Sequence, residues 1–172
     1  VSTHTTSFTG GLEAVEALLA IEEIKQLRAT YFQTLDTKDW DAWAMLFTDD
    51  VKMDFRQEAD LQIRDEAQRA ALPADAFTFD NPKDAAETFS GTLGGAVTVH
   101  QGHDPRITLT SPTTATGVWS MYDCLDYGHE LYQGYGHYWE TYRKVDGRWL
   151  IATLKLTRIR TVWEPVEHRW SR

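Results

Sequence analysis

From Leu12 to Leu35, apolar residues recur mostly at steps of three and four: Val15, Leu18, Leu19, Ile24, Leu27, Tyr31, Phe32 and Leu35. That spacing predicts one long amphipathic helix lying on a core. The polar run Asp36-Thr37-Lys38-Asp39 interrupts it and offers helix caps, after which Trp40, Trp43, Ala44 and Phe47 predict a short second helix ended by Asp49 and Asp50. At Val51 the period becomes two. Val51, Met53 and Phe55 share one face of a predicted strand, Lys52 and Asp54 the other. The stretch from Arg56 to Gly95 is the least regular, apart from a helix predicted over Pro82–Phe89, and reads as a lid or pocket wall. Four β-rich runs follow, Val97–Leu109, Ala115–Leu125, Leu131–Val145 and Arg148–Trp163, with turns at Ser111-Pro112 and Asp146-Gly147. Helices first and a strand meander afterwards predict an α+β fold, with the helices packed on one face of a curved sheet.

Length and composition narrow this picture. A chain of 172 residues with 42% hydrophobic content and seven each of Trp, Tyr and Phe suits one folded domain. We place that domain at residues 12–163, between a flexible arm at 1–11 and a tail at 164–172. The arm lacks the basic and apolar regions of a signal peptide. A net charge of -9 opposes binding to a phosphate backbone or an anionic membrane, and no apolar run approaches the roughly 20 residues that span a bilayer. The single Cys124 excludes an internal disulfide and a cysteine-based zinc site, and points to a reducing cytoplasm. The expected partner is a small, hydrophobic or ring-containing molecule.

Several ionisable residues stand in core-like segments. Tyr31 and Asp36 are five positions apart, about 140° around a helix, so both reach one pocket only if the helix ends near Leu35. Read alone, Asp36 is equally a helix-terminal cap. His100 and His103 lie three apart in a strand and therefore on opposite faces unless Gly102 permits a bulge, so either can be the inward one. A metal reading of the pair has no supporting ligand cluster. Asp123 shares parity with Ala115, Gly117, Trp119 and Met121, which puts it on the core face if that row points inward. A carboxyl buried there must be paired, hydrogen-bonded or protonated. Arg158 and Arg160 continue the parity of Leu150, Ala152, Leu154 and Leu156, and either suits as its partner. His137, in step with Tyr135 and Trp139, is a further pocket candidate. The neighbouring Gly134 and Gly136 open no helix, so they form no phosphate loop and instead allow bending or close approach.

Taken together, these segments resemble the SnoaL-like branch of the nuclear transport factor 2-like superfamily, especially the scytalone dehydratase and bile-acid dehydratase relatives. The resemblance rests on Tyr31-Phe32-Gln33-Thr34-Leu35-Asp36 before Lys38-Asp39-Trp40, the Phe47-Thr48-Asp49-Asp50-Val51 corner, Val99-His100, Gly117-Val118-Trp119, Met121-Tyr122-Asp123, and Tyr142-Arg143-Lys144-Val145-Asp146-Gly147-Arg148-Trp149. It implies a cone-shaped α+β barrel enclosing one apolar pocket, and assembly into a homo-oligomer, dimer or trimer. It also implies a cofactor-free, metal-free dehydratase with Tyr31, Asp36, His100 and Asp123 as catalytic residues and an arginine, Arg158 or Arg160, taking part. His103, Trp119 and His137 complete the expected substrate-binding set. Departures are present too: Leu125, Gly136 and Tyr138 fall near positions where the scytalone enzymes carry a second histidine, a serine and an asparagine. An isomerase using the same base, or a non-catalytic binding or assembly protein, fits the fold as well. A small-molecule site predicts a mostly apolar cavity of roughly 300 to 1,000 Å³.

Overall fold

The computed structural model describes residues 14–58, 63 and 65–166. The expected arm at 1–11 and residues 167–172 of the expected tail lie outside the described residues. Helix α1 (Ala14–Thr37) buries Ala17, Ala20, Ile24, Leu27, Arg28, Tyr31, Thr34 and Leu35, a stripe of threes and fours. Val15, Leu18 and Leu19 lie off that stripe and are exposed, at 67%, 67% and 59%. The expectation that they join the core therefore fails: a helix has one face to give the sheet, and two alanines occupy it in the first turns. Lys38, with φ at 63°, ends α1 in the left-handed region. Asp39 then caps α2 (Trp40–Ala44), its carboxylate accepting from the Ala42 amide at 3.1 Å.

Strand β1 (Phe47–Asp54) begins earlier than the sequence pattern suggests. Phe47, Asp49 and Asp50 belong to the strand rather than to the end of α2, because Phe47 pairs with Ile151 and the Ile151 amide donates to the Leu46 carbonyl at 2.9 Å. Sheet pairing overrides the helical period here. Helix α3 (Glu66–Ala70) and the two-residue β2 (Thr78–Phe79) were not legible in the sequence. Helix α4 (Pro82–Leu93) is capped by Asn81 and runs a turn past Phe89.

The remaining strands are β3 (Val97–Ser111), β4 (Thr114–Asp126), β5 (Glu130–Val145) and β6 (Arg148–Pro165). They and the first two form one sheet in the order β2-β1-β6-β5-β4-β3. β1 runs parallel to β6 and every other pairing is antiparallel, so the sheet is mixed. It is open, with β2 and β3 as its edges, and does not close into a barrel. The hairpin at Asp146 and Gly147 takes φ values of 50° and 80°, the left-handed pair that a two-residue turn requires. One face carries Trp119, Met121, Asp123, Leu125, Tyr132, Tyr138, Ile151, Leu154 and Leu156, all buried against the helices. Irregular register at Thr141/Tyr142, at Tyr135/Gly136 and at His103/Arg106 marks β-bulges, which bend a strand and reset the parity beyond them.

Candidate active site

The polar groups of the buried face meet in one ladder. His100 on β3 lies opposite Asp123 on β4, which lies opposite Gly134 on β5. Residues directly opposite in an antiparallel pair point to the same face, so His100 and Asp123 project side by side toward the helices. They line a small cavity together with Tyr31, Glu58, Tyr138 and Arg158, among apolar neighbours that include Leu35, Phe55, Phe77, Phe89, Leu125 and Leu156. Its volume is about 50 Å³, room for only a few waters. That is far below the several hundred cubic ångströms expected. The aromatic rings account for it: Phe55 and Phe89 pack edge-on at 5.0 Å between centroids, and Phe77 closes the same wall.

Asp36 reaches this site through His100. The imidazole Nδ1 is 2.6 Å from Asp36 Oδ1, and the His100 amide donates to Asp36 Oδ2 at 2.9 Å. Thr98 donates to Oδ1 at 2.9 Å and itself accepts from Lys38 Nζ at 2.6 Å. Partial burial pushes the Asp36 carboxyl pKa up, but these bonds outweigh it and hold the group below its ordinary value. Helix α1 ends at Thr37, two residues past Leu35, and Tyr31 and Asp36, about 140° apart around it, leave it in different directions. Tyr31 enters the cavity, and Asp36 grips His100 from beside the sheet. With Nδ1 bound to a carboxylate, Nε2 is the ring nitrogen free to act as acceptor.

Arg158 lies one step along the ladder, opposite Gly136. Its Nη2 donates to Asp123 Oδ2 at 2.6 Å, its Nε to Glu58 Oε2 at 2.6 Å, and its Nη1 contacts Met121 Sδ at 3.0 Å. Tyr132 donates to Glu58 Oε1 at 2.8 Å. One guanidinium thus faces two carboxyl groups. Burial raises the Asp123 pKa, Arg158 only partly offsets that, and Glu58 adds to it; among the described residues, buried Asp123 Oδ1 has no hydrogen-bond partner. Asp123 is accordingly the group that tends to keep a proton. Arg158 itself is shifted upward: desolvation opposes the charge, but Glu58 and Asp123 more than restore it.

A Cβ on Gly134 would come within 2.2 Å of Asp123 Oδ1 and 2.3 Å of Arg158 Nη1, so the missing side chain is the space in which the ion pair forms. Tyr31 is buried and its pKa is pushed up to about 12 by desolvation, with Arg28 opposing the rise. Glu58, Gly134, Tyr138 and Arg28 also belong to the site and lie outside the set that the sequence predicts. A signal existed for two of them, the inward parity of Gly134 and a charged Arg28 inside the apolar stripe of α1.

Other expected residues lie elsewhere. His103 is exposed and pairs with Ser120 on the outer face, because the bulge falls after it and not at Gly102. His137 shares the outer face with the exposed Tyr135 and Trp139. Arg160 pairs with Tyr135 and is exposed, since the extra residue Ile159 resets the parity after Arg158. Trp119 is buried on the inner face but donates to the Tyr142 hydroxyl at 2.8 Å and does not line the cavity.

An open mixed sheet under N-terminal helices, with polar groups converging beneath them, defines a cone fold of the nuclear transport factor 2 type. The chain belongs to the SnoaL-like domain family, whose model matches residues 16–155. It superposes on a protein assigned provisionally as a scytalone dehydratase from Novosphingobium aromaticivorans with a TM-score of 0.72 at 21% identity, covering 87% of this chain and 91% of that one. A type 2 hexachlorocyclohexane dehydrochlorinase, LinA, matches with a TM-score of 0.70 at 16% identity over 93% and 98% of the two chains. The type 3 LinA from Novosphingobium barchaimii gives 0.67 at 15% over 90% and 95%. At such identities the likeness is one of fold. Among the described residues no helix is long and apolar enough to cross a membrane, and no three His, Cys, Asp or Glu side chains are grouped to hold a metal ion.

Proposed function

We propose that the protein is a cofactor-independent dehydratase that removes water from a hydrophobic β-hydroxy carbonyl compound, of the size of a steroid or polyketide ring. The observation that carries the reading is the His100–Asp36 pair at 2.6 Å, with His100 lining the cavity. In this reading Nε2 of His100 takes the proton α to the carbonyl, and Asp36 holds the Nδ1–H tautomer and stabilises the imidazolium. Tyr31 donates to the oxygen that becomes an enolate. Asp123 gives its proton to the departing hydroxyl, which leaves as water as the carbon–carbon double bond forms. The two groups lie opposite each other on neighbouring strands, so the proton gained by His100 returns to Asp123 through cavity water and closes the cycle.

The low identity of the relatives leaves the substrate to this proposal, as it does the homo-oligomeric state and a cytoplasmic setting. The cavity of about 50 Å³ requires Phe55, Phe77 and Phe89 to move outward to admit a ring. That small volume is the observation favouring a second reading, a non-catalytic module of the same fold. Turnover decides between them. The protein is incubated with a panel of β-hydroxy ketones, and appearance of the conjugated enone is followed by absorbance. Dehydration that is lost in His100→Ala with the fold intact supports the proposal; no turnover of any member by the unmodified protein sinks it.

A further inference from the structure

A second buried arginine lies directly behind the cavity. Arg28, on α1 one turn before Tyr31, is fully buried, with its guanidinium carbon 3.8 Å from the Tyr31 ring centroid, 3.9 Å from that of Tyr138 and 4.5 Å from that of Phe32. Tyr31 and Tyr138 both line the cavity. The counter-charge is Glu140, also fully buried, with Oε1 3.0 Å from Arg28 Nη1. Glu140 is fixed from the other side by the Tyr142 hydroxyl, which in turn accepts from the Trp119 indole at 2.8 Å. Among the described residues the guanidinium nitrogens make no aligned hydrogen bond. A buried ion pair is a poor stabiliser compared with apolar packing of the same volume, and on the arginine side of this one the aligned hydrogen bonds that normally compensate burial are missing among the described residues. Its charge is spent against aromatic rings.

We infer that Arg28 is a positioning residue for the oxyanion side of the cavity, its cation stacked on Tyr31 and Tyr138 so that their hydroxyls donate strongly to a substrate oxygen gaining negative charge. This rests on the reading of Tyr31 as the enolate donor and extends it. A cation on the face of a phenol is attracted by the ring and draws electron density from it, and polarised donors in a low-dielectric interior bind an anion more strongly. The opposition of Arg28 to the burial-driven rise of the Tyr31 pKa is the same effect. Glu140 moderates it from the far side. The other charged or titratable groups facing the cavity are His100, Asp123, Glu58 and Arg158. The substrate class that profits is one whose carbonyl oxygen becomes an enolate, rather than one that reacts without charge on oxygen.

The probe is 4-nitrophenol, whose phenolate absorbs in the visible, compared at neutral pH with uncharged nitrobenzene in the full-length protein. Two variants isolate the charge: Glu140→Gln removes the counter-charge and leaves the cation, and Arg28→Met/Glu140→Gln removes both. The expected result is phenolate binding tightened about threefold or more in Glu140→Gln although its melting temperature falls, and weakened about tenfold in the double variant, the amount of one pKa unit. Nitrobenzene binding stays within about twofold in both. A merely structural pair changes melting temperatures without separating the two ligands, and that outcome overturns the inference, as does failure of the unmodified protein to bind the phenol. Should Glu140→Gln not fold, the double variant carries the same comparison. Turnover of hydroxy ketones with unchanged phenolate selectivity in the variants removes this inference and leaves the dehydratase reading; the expected binding pattern without turnover does the reverse.

Discussion

Arg28 and Arg158 are both buried arginines set against carboxylates on the same face of one sheet, yet their surroundings differ. Arg158 donates hydrogen bonds at 2.6 Å to each of two carboxyl groups, Glu58 and Asp123. Arg28 faces one, Glu140, without aligned hydrogen bonds among the described residues, and lies between aromatic rings. Burial raises the carboxyl pKa in both places, at Asp123 and at Glu140, and the count of charges adds to it in the first. At Asp123 the second carboxyl group on the same cation, Glu58, adds to the burial-driven rise that Arg158 only partly offsets. One carboxylate on one cation is neutral as a unit, so its effect is local and directional, felt by the rings it touches.

The largest test of this contrast removes the acid. Asp123→Asn keeps the shape but not the exchangeable proton, and should lower kcat for the dehydration about 10²- to 10⁴-fold, as should His100→Ala. In steady-state rates of the unmodified protein against pH, activity should fall as pH rises through the raised Asp123 pKa, a limb that Asp123→Asn lacks. The sign for stability follows from the same shift: a carboxyl whose pKa is raised on folding stabilises the fold below the ordinary carboxylate range, and that contribution is lost as pH rises through the folded-state value. Thermal melts of Asp123→Asn should therefore depend less on pH over that interval. Asp36, shifted downward, behaves oppositely: its contribution is present above the ordinary range and is lost as pH falls toward the depressed value.

Arg28→Met leaves the buried Glu140 without its counter-charge, and should cost about 3 to 5 kcal/mol in chemical denaturation, most of it recovered in Arg28→Met/Glu140→Gln. A single variant no less stable than the double would show that the pair does not act as a unit. Gly134→Ala should cost about 1 to 3 kcal/mol and most of the activity, because the added methyl group occupies the space where Asp123 and Arg158 meet. Gly95→Ala, with nothing within 4 Å of the new carbon, is its control and should stay within about 0.5 kcal/mol. Smallest of all should be Arg160→Ala and His103→Ala. Both side chains are exposed, so melting and turnover should match the unmodified protein to within about 0.5 kcal/mol. Loss of turnover in either would bring the outer face into the site.

The sequence by itself determined the order of the elements, the four long strands to within a residue or two at most ends, and the inward row of β4 that carries Asp123. These were legible because an unbroken period of two or of three and four records a buried face directly in the local pattern. It also pointed to Tyr31 and His100, which the fold brings to one cavity, and to Asp36, which holds His100. The tertiary structure alone decided which arginine turns inward. Parity was sufficient from Leu154 to Arg158, but a bulge on either side, invisible to alternation, separates Arg160 from that row and placed Ala152 off it. It decided that Phe47 is a strand residue, since its partner Ile151 lies 104 positions away. Glu58 and Arg158, or Arg28 and Glu140, are separated by a hundred residues or more, and no local period connects them. The ligand-sized cavity expected from the chemistry was likewise beyond the sequence: how far three phenylalanines from different elements fill the space between helix and sheet is a property of packing, which depends on all of them at once.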